Sequence, residues 1–324
     1  MNQRCIGRTV WIRRVAGWLG LIVAVAARAD NWPNWRGPQH NGASEETGLP
    51  ETFSKTNGVK WCATLPGPSA ATPVVWGEKV FVSSTEPQSR TLLALALDRR
   101  TGRELWRRPC GEGFAKDDRS NFASPSSVTD GRRVWFYYGT GDLAAFDADG
   151  APLWSRNIQR DYGPFAFLWT YGSSPLLWEG RLYIQVLQRD VPVQGRGRAD
   201  GPNESYLLAL DPATGRELWR QVRPSDARQE SREAYSTPLP VRHNGQTELI
   251  VVGGDCVTAH SPATGQELWR WGTWNPERIT HWRLVPSAVA GDGVVLACAP
   301  KGGAVYAFKP GARGVLDDTA LAWV

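Results

Sequence analysis

The sequence predicts an all-β fold, a β-propeller of four-stranded blades. Three near-identical nonapeptides occur, at 98–106 (DRRTGRELW), 211–219 (DPATGRELW) and 261–269 (SPATGQELW). Tryptophans recur at intervals of about 45 to 65 residues, three of them at the ends of these nonapeptides. A repeat of about this length is typical of propeller blades, which bury their apolar faces by stacking on one another. The recurring tryptophans are Trp61, Trp106, Trp154, Trp219, Trp269 and Trp323.

Each unit contains the signals for four strands. The nonapeptide predicts a tight turn because Asp, Pro, Thr and Gly favour turns, and an apolar run such as LLALAL at 92–97 precedes it. Farther upstream, a small residue lies next to a proline and a β-branched or aromatic run follows. Proline suits the first position of a strand, where no amide donor is needed. These pairs are Thr72-Pro73, Ser124-Pro125, Ser174-Pro175, Thr237-Pro238 and Pro286-Ser287.

The pattern A-x-D-x-x-T-G-x-x-x-W resembles the tryptophan-docking motif of pyrroloquinoline-quinone (PQQ)-type propellers. Residues 96–106 and 209–219 match it in full, and Ser261 replaces the aspartate in a third copy. The copy that ends at Trp154 is one residue short, and the copy around Trp323 is stretched and lacks the Thr-Gly pair. The motif is specific for the fold and not for an activity.

The resemblance covers roughly residues 59–324 and implies a ring of eight blades. The sequence holds five units, which end near the last five of the recurring tryptophans. Trp61 stands before the first unit, so we expect it on a strand that closes the ring. Because five units and one closing strand are too few for eight blades, we expect an incomplete eight-bladed ring from a truncated chain.

Residues 1–29 are predicted to be a secretory signal peptide. Arginines precede an apolar run over 15–27, which is too short to span a bilayer, and Ala27-Arg28-Ala29 fits a cleavage site. The segment holds five of the 37 basic residues and none of the 32 acidic ones, so the formal charge of +5 falls to zero after cleavage. The composition therefore predicts no nucleic-acid partner and no membrane-spanning segment in the mature chain, which we expect in the periplasm or cell envelope, or secreted.

Residues 30–58 form an irregular segment rich in Pro, Gly and Asn, with Trp32 and Trp35 expected to pack on the propeller edge. Its W-x-x-W-R-G-P pattern resembles the start of exported propeller proteins of planctomycete-type bacteria. Four cysteines follow the signal peptide, and either disulfide pairing or free thiols on strands fits their positions. They are Cys62, Cys110, Cys256 and Cys298.

A binding site is expected on the loops that precede the proline strands, because these loops vary while the Thr-Gly turns repeat. Loops of successive blades converge near the mouth of the channel, together with an insert at 188–205. Each residue alone could equally be a strand cap, and His281 is the strongest single candidate. The candidates are Asp117, Arg119, Asp161, Trp169, Tyr171, Arg232, Glu233, Tyr235, Arg278, His281, Trp282 and Arg283.

No cofactor and no metal ion are predicted from the residues. PQQ-dependent dehydrogenases hold the quinone between a tryptophan and a disulfide of two adjacent cysteines, with Ca²⁺ on Glu, Asn and Asp oxygens. This sequence has no adjacent cysteines, and oxygen ligands are too common to indicate calcium by themselves. PQQ with calcium is kept only as an alternative.

Three functions remain open from the sequence. The first is an exported, non-catalytic scaffold that binds envelope proteins, because the repeats resemble BamB, the propeller subunit of the outer-membrane β-barrel assembly machinery. The second is a degenerate PQQ-dependent dehydrogenase. The third is a carbohydrate-binding propeller, which the aromatic residues Trp169, Trp274 and Trp282 favour. Fold alone does not decide among them.

Overall fold

The computed structural model describes residues 30–115, 117, 119–272 and 274–324, and the predicted signal peptide lies outside them. Residues Asn31–Val324 form one compact unit. Within the described residues, no helix is both long and apolar enough to cross a membrane. The unit is all-β, as predicted, and consists of five blades that follow one another along the chain.

Each blade is an antiparallel sheet in which neighbouring strands are consecutive in sequence, as expected for units linked by tight turns. Blade 4 gains a fifth strand, and blade 5 takes its outermost strand after that insertion. The strands of blade 1 are β1 (Val74–Trp76), β2 (Lys79–Glu86), β3 (Thr91–Asp98) and β4 (Glu104–Glu112); of blade 2, β5 (Val128–Thr129), β6 (Arg133–Tyr137), β7 (Asp142–Asp147) and β8 (Pro152–Asn157); of blade 3, β9 (Leu176–Trp178), β10 (Arg181–Val186), β11 (Tyr206–Leu210) and β12 (Glu217–Val222); of blade 4, β13 (Leu239–His243), β14 (Gln246–Gly253), β15 (Cys256–His260), β16 (Glu267–Trp271) and β20 (Gly314–Val315); of blade 5, β17 (Val289–Gly291), β18 (Val294–Cys298), β19 (Val305–Phe308) and β21 (Leu321–Trp323).

In the part of the chain that the structure describes, helical structure is confined to three short elements. Helix α1 (Ile158–Tyr162) follows β8 and is capped by Asn157, whose side chain accepts from the backbone N–H of Arg160. Two 3₁₀ helices, Gln229–Arg232 and Asp318–Ala320, lie in connections between strands. The fold therefore rests on sheets and on the contacts between them.

The alanine and the tryptophan of the repeat face each other across the two outer strands of every blade. The five pairs are Ala96 with Trp106, Ala145 with Trp154, Ala209 with Trp219, Ala259 with Trp269 and Ala307 with Trp323. A register shift follows the alanine in each case. The small side chain leaves room for the indole ring, and the bulge increases the local strand twist. This arrangement explains why both residues recur at fixed spacing.

Indole rings join neighbouring blades through the turns. The indole Nε1–H of Trp106 donates to the Ala148 carbonyl at 3.1 Å, and that of Trp219 donates to Pro262 at 3.1 Å. The turn itself is held by its aspartate: the Asp98 carboxylate accepts from the backbone N–H and the hydroxyl of Thr101 at 2.8 and 2.7 Å. The repeated nonapeptide is therefore both a hairpin turn and the platform for the preceding blade's tryptophan.

The last two tryptophans depart from this docking pattern. Trp269 is buried, stacks on Phe308 with ring centroids 5.9 Å apart, and donates to the buried carboxylate of Glu248. Strand β20 pairs in parallel with β16 through Trp269 and Gly314, in place of the missing Thr-Gly turn. Trp323 keeps the alanine register but is 50% exposed, so its docking role stays a prediction.

Hydroxyl groups beside the prolines connect the innermost strands. The backbone N–H of Thr72 donates to Ser126 Oγ at 2.9 Å, and that of Ser126 donates to Ser174 Oγ at 3.0 Å. The backbone N–H of Ser174 donates to Thr237 Oγ1 at 3.1 Å, and that of Thr237 donates to Ser287 Oγ at 2.8 Å. We name these five residues the hydroxyl belt. It satisfies one amide of every blade junction and explains the small residue next to each proline.

The N-terminal segment lies against the inner strands rather than on an outer edge of the propeller. Trp32 exchanges two backbone hydrogen bonds of 2.8 Å with Val75 of β1, and the Pro33 carbonyl accepts from Thr129 of β5. The Arg36 guanidinium donates to the Ala288 carbonyl of blade 5. Short segments can fill the free edges of inner strands because those edges offer unpaired amides.

Residues 58–63, around Trp61, are not assigned to a strand, so the closing-strand role of Trp61 stays a prediction. The indole nevertheless docks as the motif implies, donating to the Arg99 carbonyl at 2.9 Å beside Gly102. All four described cysteines are free, with Cys256 buried and Cys62 exposed.

Candidate functional site

The loops that precede the inner strands of blades 2 to 5 converge on the side opposite the Thr-Gly turns. We name this side the loop face and define it by the described residues of 113–127, 158–175, 188–205, 223–238 and 274–288. Hydrogen bonds tie its loops together: Tyr235 N–H donates to the Leu284 carbonyl at 2.9 Å, and Leu284 N–H donates to the Glu233 carbonyl at 3.1 Å. The predicted candidates all lie on this face.

Four loops meet at Trp169. The guanidinium carbon of Arg119 lies 5.2 Å from the centre of its ring, and that of Arg283 lies 5.4 Å away. The Trp169 backbone N–H faces the Tyr235 hydroxyl at 3.4 Å, while its buried indole N–H has no hydrogen-bond partner among the described residues. Residues from the loops of blades 2, 3, 4 and 5 are thus brought together at Trp169. That they form a binding site stays a prediction.

Glu233 holds these loops together through an ion pair and hydrogen bonds. It is fully buried, forms an ion pair with Arg189, and accepts from the Tyr235 hydroxyl at 2.6 Å and the Leu168 backbone N–H at 3.1 Å. Burial raises the pKa of Glu233 in spite of these donors, and the same burial raises the pKa of Tyr235. A buried carboxylate with several donors fixes the positions of its partners, so Glu233 positions the loop that carries Trp169.

A cavity of about 520 Å³ opens beside Trp169, between blades 2 and 3. Tyr171 lies in its wall, is 2% exposed, and donates its hydroxyl to the Gln185 carbonyl at 2.6 Å. Asp117 contributes a carboxylate that accepts from Thr170 Oγ1 and Ser120 Oγ. Although burial opposes ionisation, donors headed by the Arg119 backbone N–H lower the pKa of Asp117. The further aromatic wall residues are Phe122, Phe165, Phe167 and Trp169.

Other predicted residues lie away from Trp169. The Asp161 carboxylate on α1 is paired with Arg156 of β8 at 2.8 Å. Arg278 is paired with Asp226 at 2.9 Å and lines a second cavity of about 350 Å³. His281 is exposed, and it takes part in none of the contacts around Trp169 that are described above.

Two further candidates flank the Trp169 cluster. Trp282 is held through its backbone N–H, which donates to Ser231 Oγ at 2.7 Å. Arg232 ends the 3₁₀ helix Gln229–Arg232, and its buried Nε–H has no partner among the described residues. Ser231 is buried in the same helix, so the helix links the loops of blades 4 and 5.

Sequence reasoning included Trp169 and Tyr171 but missed the phenylalanines of the aromatic wall. Phe165 and Phe167 are buried and lie with Tyr171 at ring-centroid distances of 5.0 and 5.4 Å. The signal was present as the apolar run PFAFLW at 164–169, which lies in a connection and not in a strand. Glu230, which pairs with Arg283, was also missed. A single charged loop residue carries no sequence pattern that would mark it.

The described residues do not fit the quinone and calcium site of PQQ-dependent enzymes. The four cysteines are free and none is adjacent to another in sequence. No three His, Cys, Asp or Glu of the described residues are grouped where they could hold a metal ion. We therefore derive no chemical step through a quinone, and the cofactor prediction stays a prediction.

The blades and their docked tryptophans define a PQQ-like β-propeller. A family model described as "Outer membrane protein assembly factor BamB" matches residues 50–188 and 141–321. The chain belongs to this family. It is also 26% identical over 200 residues to a polyvinylalcohol dehydrogenase from Sphingopyxis sp. (strain 113P3), a match that covers 60% of this chain and 28% of the relative.

Solved structures share the fold at low sequence identity. The quinohemoprotein alcohol dehydrogenase from Comamonas testosteroni superposes with a TM-score of 0.57 and 18% identity, over 90% of this chain and 49% of that one. BamB from Moraxella catarrhalis aligns with a TM-score of 0.44 and 17% identity, over 77% and 70% of the two chains. The chain thus spans half or less of the dehydrogenases that it matches.

Proposed function

We propose that this chain is an exported, non-catalytic scaffold whose loop face binds protein partners of the cell envelope. Membership of a family described as an outer-membrane assembly factor supports the partner class and the export. The observation that carries the proposal is Trp169 with the guanidinium groups of Arg119 and Arg283 against its ring. Tryptophan, tyrosine and arginine are the residues that dominate binding energy at protein interfaces.

The surroundings of Trp169 support recognition more than catalysis. The buried carboxylate of Glu233 is already engaged by Arg189, Tyr235 and the Leu168 backbone, so it is occupied as a structural anchor. A fixed base beneath the half-buried Trp169 and Arg283 and the exposed Arg119 lowers the entropy cost of binding. The pairing of a fixed platform with an adjacent cavity is typical of a docking surface.

Site-specific photocrosslinking in cells that express the full chain tests this function. A photoreactive phenylalanine analogue at Arg119 should crosslink to defined envelope proteins, which mass spectrometry identifies. The matched control is the same analogue at Arg216, an exposed arginine on the Thr-Gly turn of blade 3, on the opposite face. Equal crosslinking at both positions, or none at Arg119, would contradict binding through the loop face.

A second measurement tests the non-catalytic half of the proposal. Purified protein is mixed with PQQ and Ca²⁺, and dye-linked alcohol oxidation is followed together with the absorption spectrum. We expect no turnover. Turnover that depends on both additions would overturn the scaffold function in favour of a dehydrogenase.

A further inference from the structure

The cavity beside Trp169 has an aromatic wall, and the polar groups of Asp117 and Gln159 in its lining are already engaged within the protein. Asp117 accepts from the backbone of Arg119 and Ser120 and from two hydroxyls, so its lone pairs are occupied. Gln159 donates to the Thr140 carbonyl and accepts from Phe165 N–H, both at 2.7 Å. With these acceptors engaged, the aromatic wall favours an apolar occupant. Among the described residues, the free donors at the cavity are the Trp169 indole N–H and the remaining N–H groups of Arg196, which suit acceptor oxygens beside that apolar group.

Among the described residues, the cavity and its rim carry two arginines outside ion pairs, Arg196 in the lining and Arg119 over Trp169, against the carboxylate of Asp117, so positive charge prevails there. Arg283 is paired with Glu230, and Arg189 with Glu233. Arg119 is exposed and forms no ion pair within the described part of the chain. Arg196 lines the cavity and uses two N–H groups on the Phe167 carbonyl and Gln194, which leaves three of its five donors.

We propose, resting on the proposed function, that the cavity receives an apolar side chain from an acidic polypeptide segment. The side chain fills the space between Phe165, Phe167 and Trp169, and neighbouring carboxylates of the same segment bind Arg119 and Arg196. Charge complementarity commits the site to an acidic partner, because opposite charges at a rim steer association and exclude basic segments. The cavity volume of about 520 Å³ is ample for one or two apolar side chains.

Four matched peptides test the occupant by fluorescence anisotropy with the purified full chain. The first is a fluorescein-labelled ten-residue peptide with a central leucine, two glutamates on each side and glycine-serine ends. The others replace the leucine by glycine, the glutamates by glutamine, or the glutamates by lysine. We expect the first peptide to bind and the glycine peptide to lose about 10-fold or more in affinity. The glutamine peptide should lose more affinity, and the lysine peptide most. Binding of the first peptide should weaken as salt is added.

Two variants of the protein place the binding in the cavity. Ala115→Trp fills the cavity from its wall and Arg119→Glu reverses the charge at its rim. Both should weaken binding of the leucine–glutamate peptide about 10-fold or more. The controls Ala213→Trp and Arg216→Glu change exposed residues on the opposite face and should leave it unchanged. Thermal melting of each variant checks that it is folded.

The outcomes distinguish this inference from the scaffold function on which it rests. Crosslinking at Arg119 without peptide binding, or with equal binding of the glutamate and lysine peptides, overturns the acidic apolar occupant and leaves the scaffold function in place. Failure of both experiments overturns both. Vesicles of phosphatidylglycerol form the last arm: if they bind in competition with the peptide and Ala115→Trp abolishes that binding, the occupant is a lipid and the inference is wrong.

Discussion

The indole N–H of Trp154 donates to the Pro212 carbonyl at 2.9 Å, and its ring lies against Gly215 in the turn of the next blade. A Cβ on Gly215 would stand 2.6 Å from the ring, and the residue has a φ of +71°. Gly215→Ala therefore both strains the backbone and separates two blades. We expect it to lower the free energy of unfolding by about 2–4 kcal/mol, measured by urea denaturation.

Gly180 provides the control for that substitution. Its φ is +72°, nearly the same, but beyond its chain neighbours no atom lies within 4 Å of the point where a Cβ would stand. Gly180→Ala should cost only the backbone strain, about 1 kcal/mol. Equal losses for the two variants would show that contact between indole and turn does not stabilise the junction.

The docking tryptophans differ in how much of each side chain is buried. Trp106 is 7% exposed and packs against Phe136 and Phe146, whereas Trp323 is 50% exposed. We expect Trp106→Ala to cost about 3–5 kcal/mol of stability, and Trp323→Ala to cost about 1 kcal/mol or less. Thermal and urea unfolding of both variants provide the comparison, and a large loss for Trp323→Ala would mean that its ring is buried in solution.

The hydroxyl belt can be tested with two adjacent serines. Ser126 Oγ accepts from the Thr72 backbone N–H, whereas Ser127 Oγ is buried without a hydrogen-bond partner among the described residues. Ser126→Ala leaves the partly buried Thr72 amide unpaired and should cost about 1 kcal/mol, while Ser127→Ala should change stability by less than about 0.5 kcal/mol. Hydrogen exchange at the Thr72 amide should rise in the first variant alone.

His260 predicts a pH dependence of stability. Burial lowers its pKa to about 4, and it contacts the Gly265 carbonyl and Thr258 Oγ1, each at 2.9 Å. Between about pH 6.5 and 4 the unfolded chain binds a proton that the folded protein does not, so stability falls as the pH falls. The loss should approach about 3 kcal/mol at pH 4.

Substitutions of single histidines test whether His260 causes this pH dependence of stability. His260→Gln should make the slope of unfolding free energy against pH shallower over this range, even if the variant is less stable at pH 7. His40, whose pKa burial also lowers to about 4, should contribute similarly. His281→Gln is the control, since that side chain is exposed. An unchanged slope in His260→Gln would exclude His260 as the titrating group.

The repeat made the blades predictable, whereas the structure of the unrepeated segments could not be predicted. Local turn chemistry and apolar periodicity specify a hairpin ending in tryptophan, so Trp106, Trp154 and Trp219 were placed correctly. The parallel pairing of Gly314 with Trp269 depends on a free strand edge of blade 4 in the folded protein, which no local sequence pattern encodes.

The same distinction applies to the candidate site. Loop variability is typical of functional positions, and it led to the prediction of Arg119, Trp169 and Arg283, which the structure places in contact. Their partners were not foreseen, since Arg189 and Glu233 are 44 positions apart and meet only after blades 3 and 4 stack. Asp161 was included because of its position in a loop, and its pairing with Arg156 takes its carboxylate elsewhere.

The contact between Arg36 and blade 5 has a consequence for the order of folding. Its guanidinium binds carbonyls of Ser287 and Ala288, which are 251 and 252 positions later in the chain. Contacts this distant in sequence form late, after the intervening units have closed their own loops. Trp32 can pair with Val75 of blade 1 earlier, but Arg36 can be seated only when the fifth blade is in place, and protection of Arg36 from trypsin would time the final step of assembly.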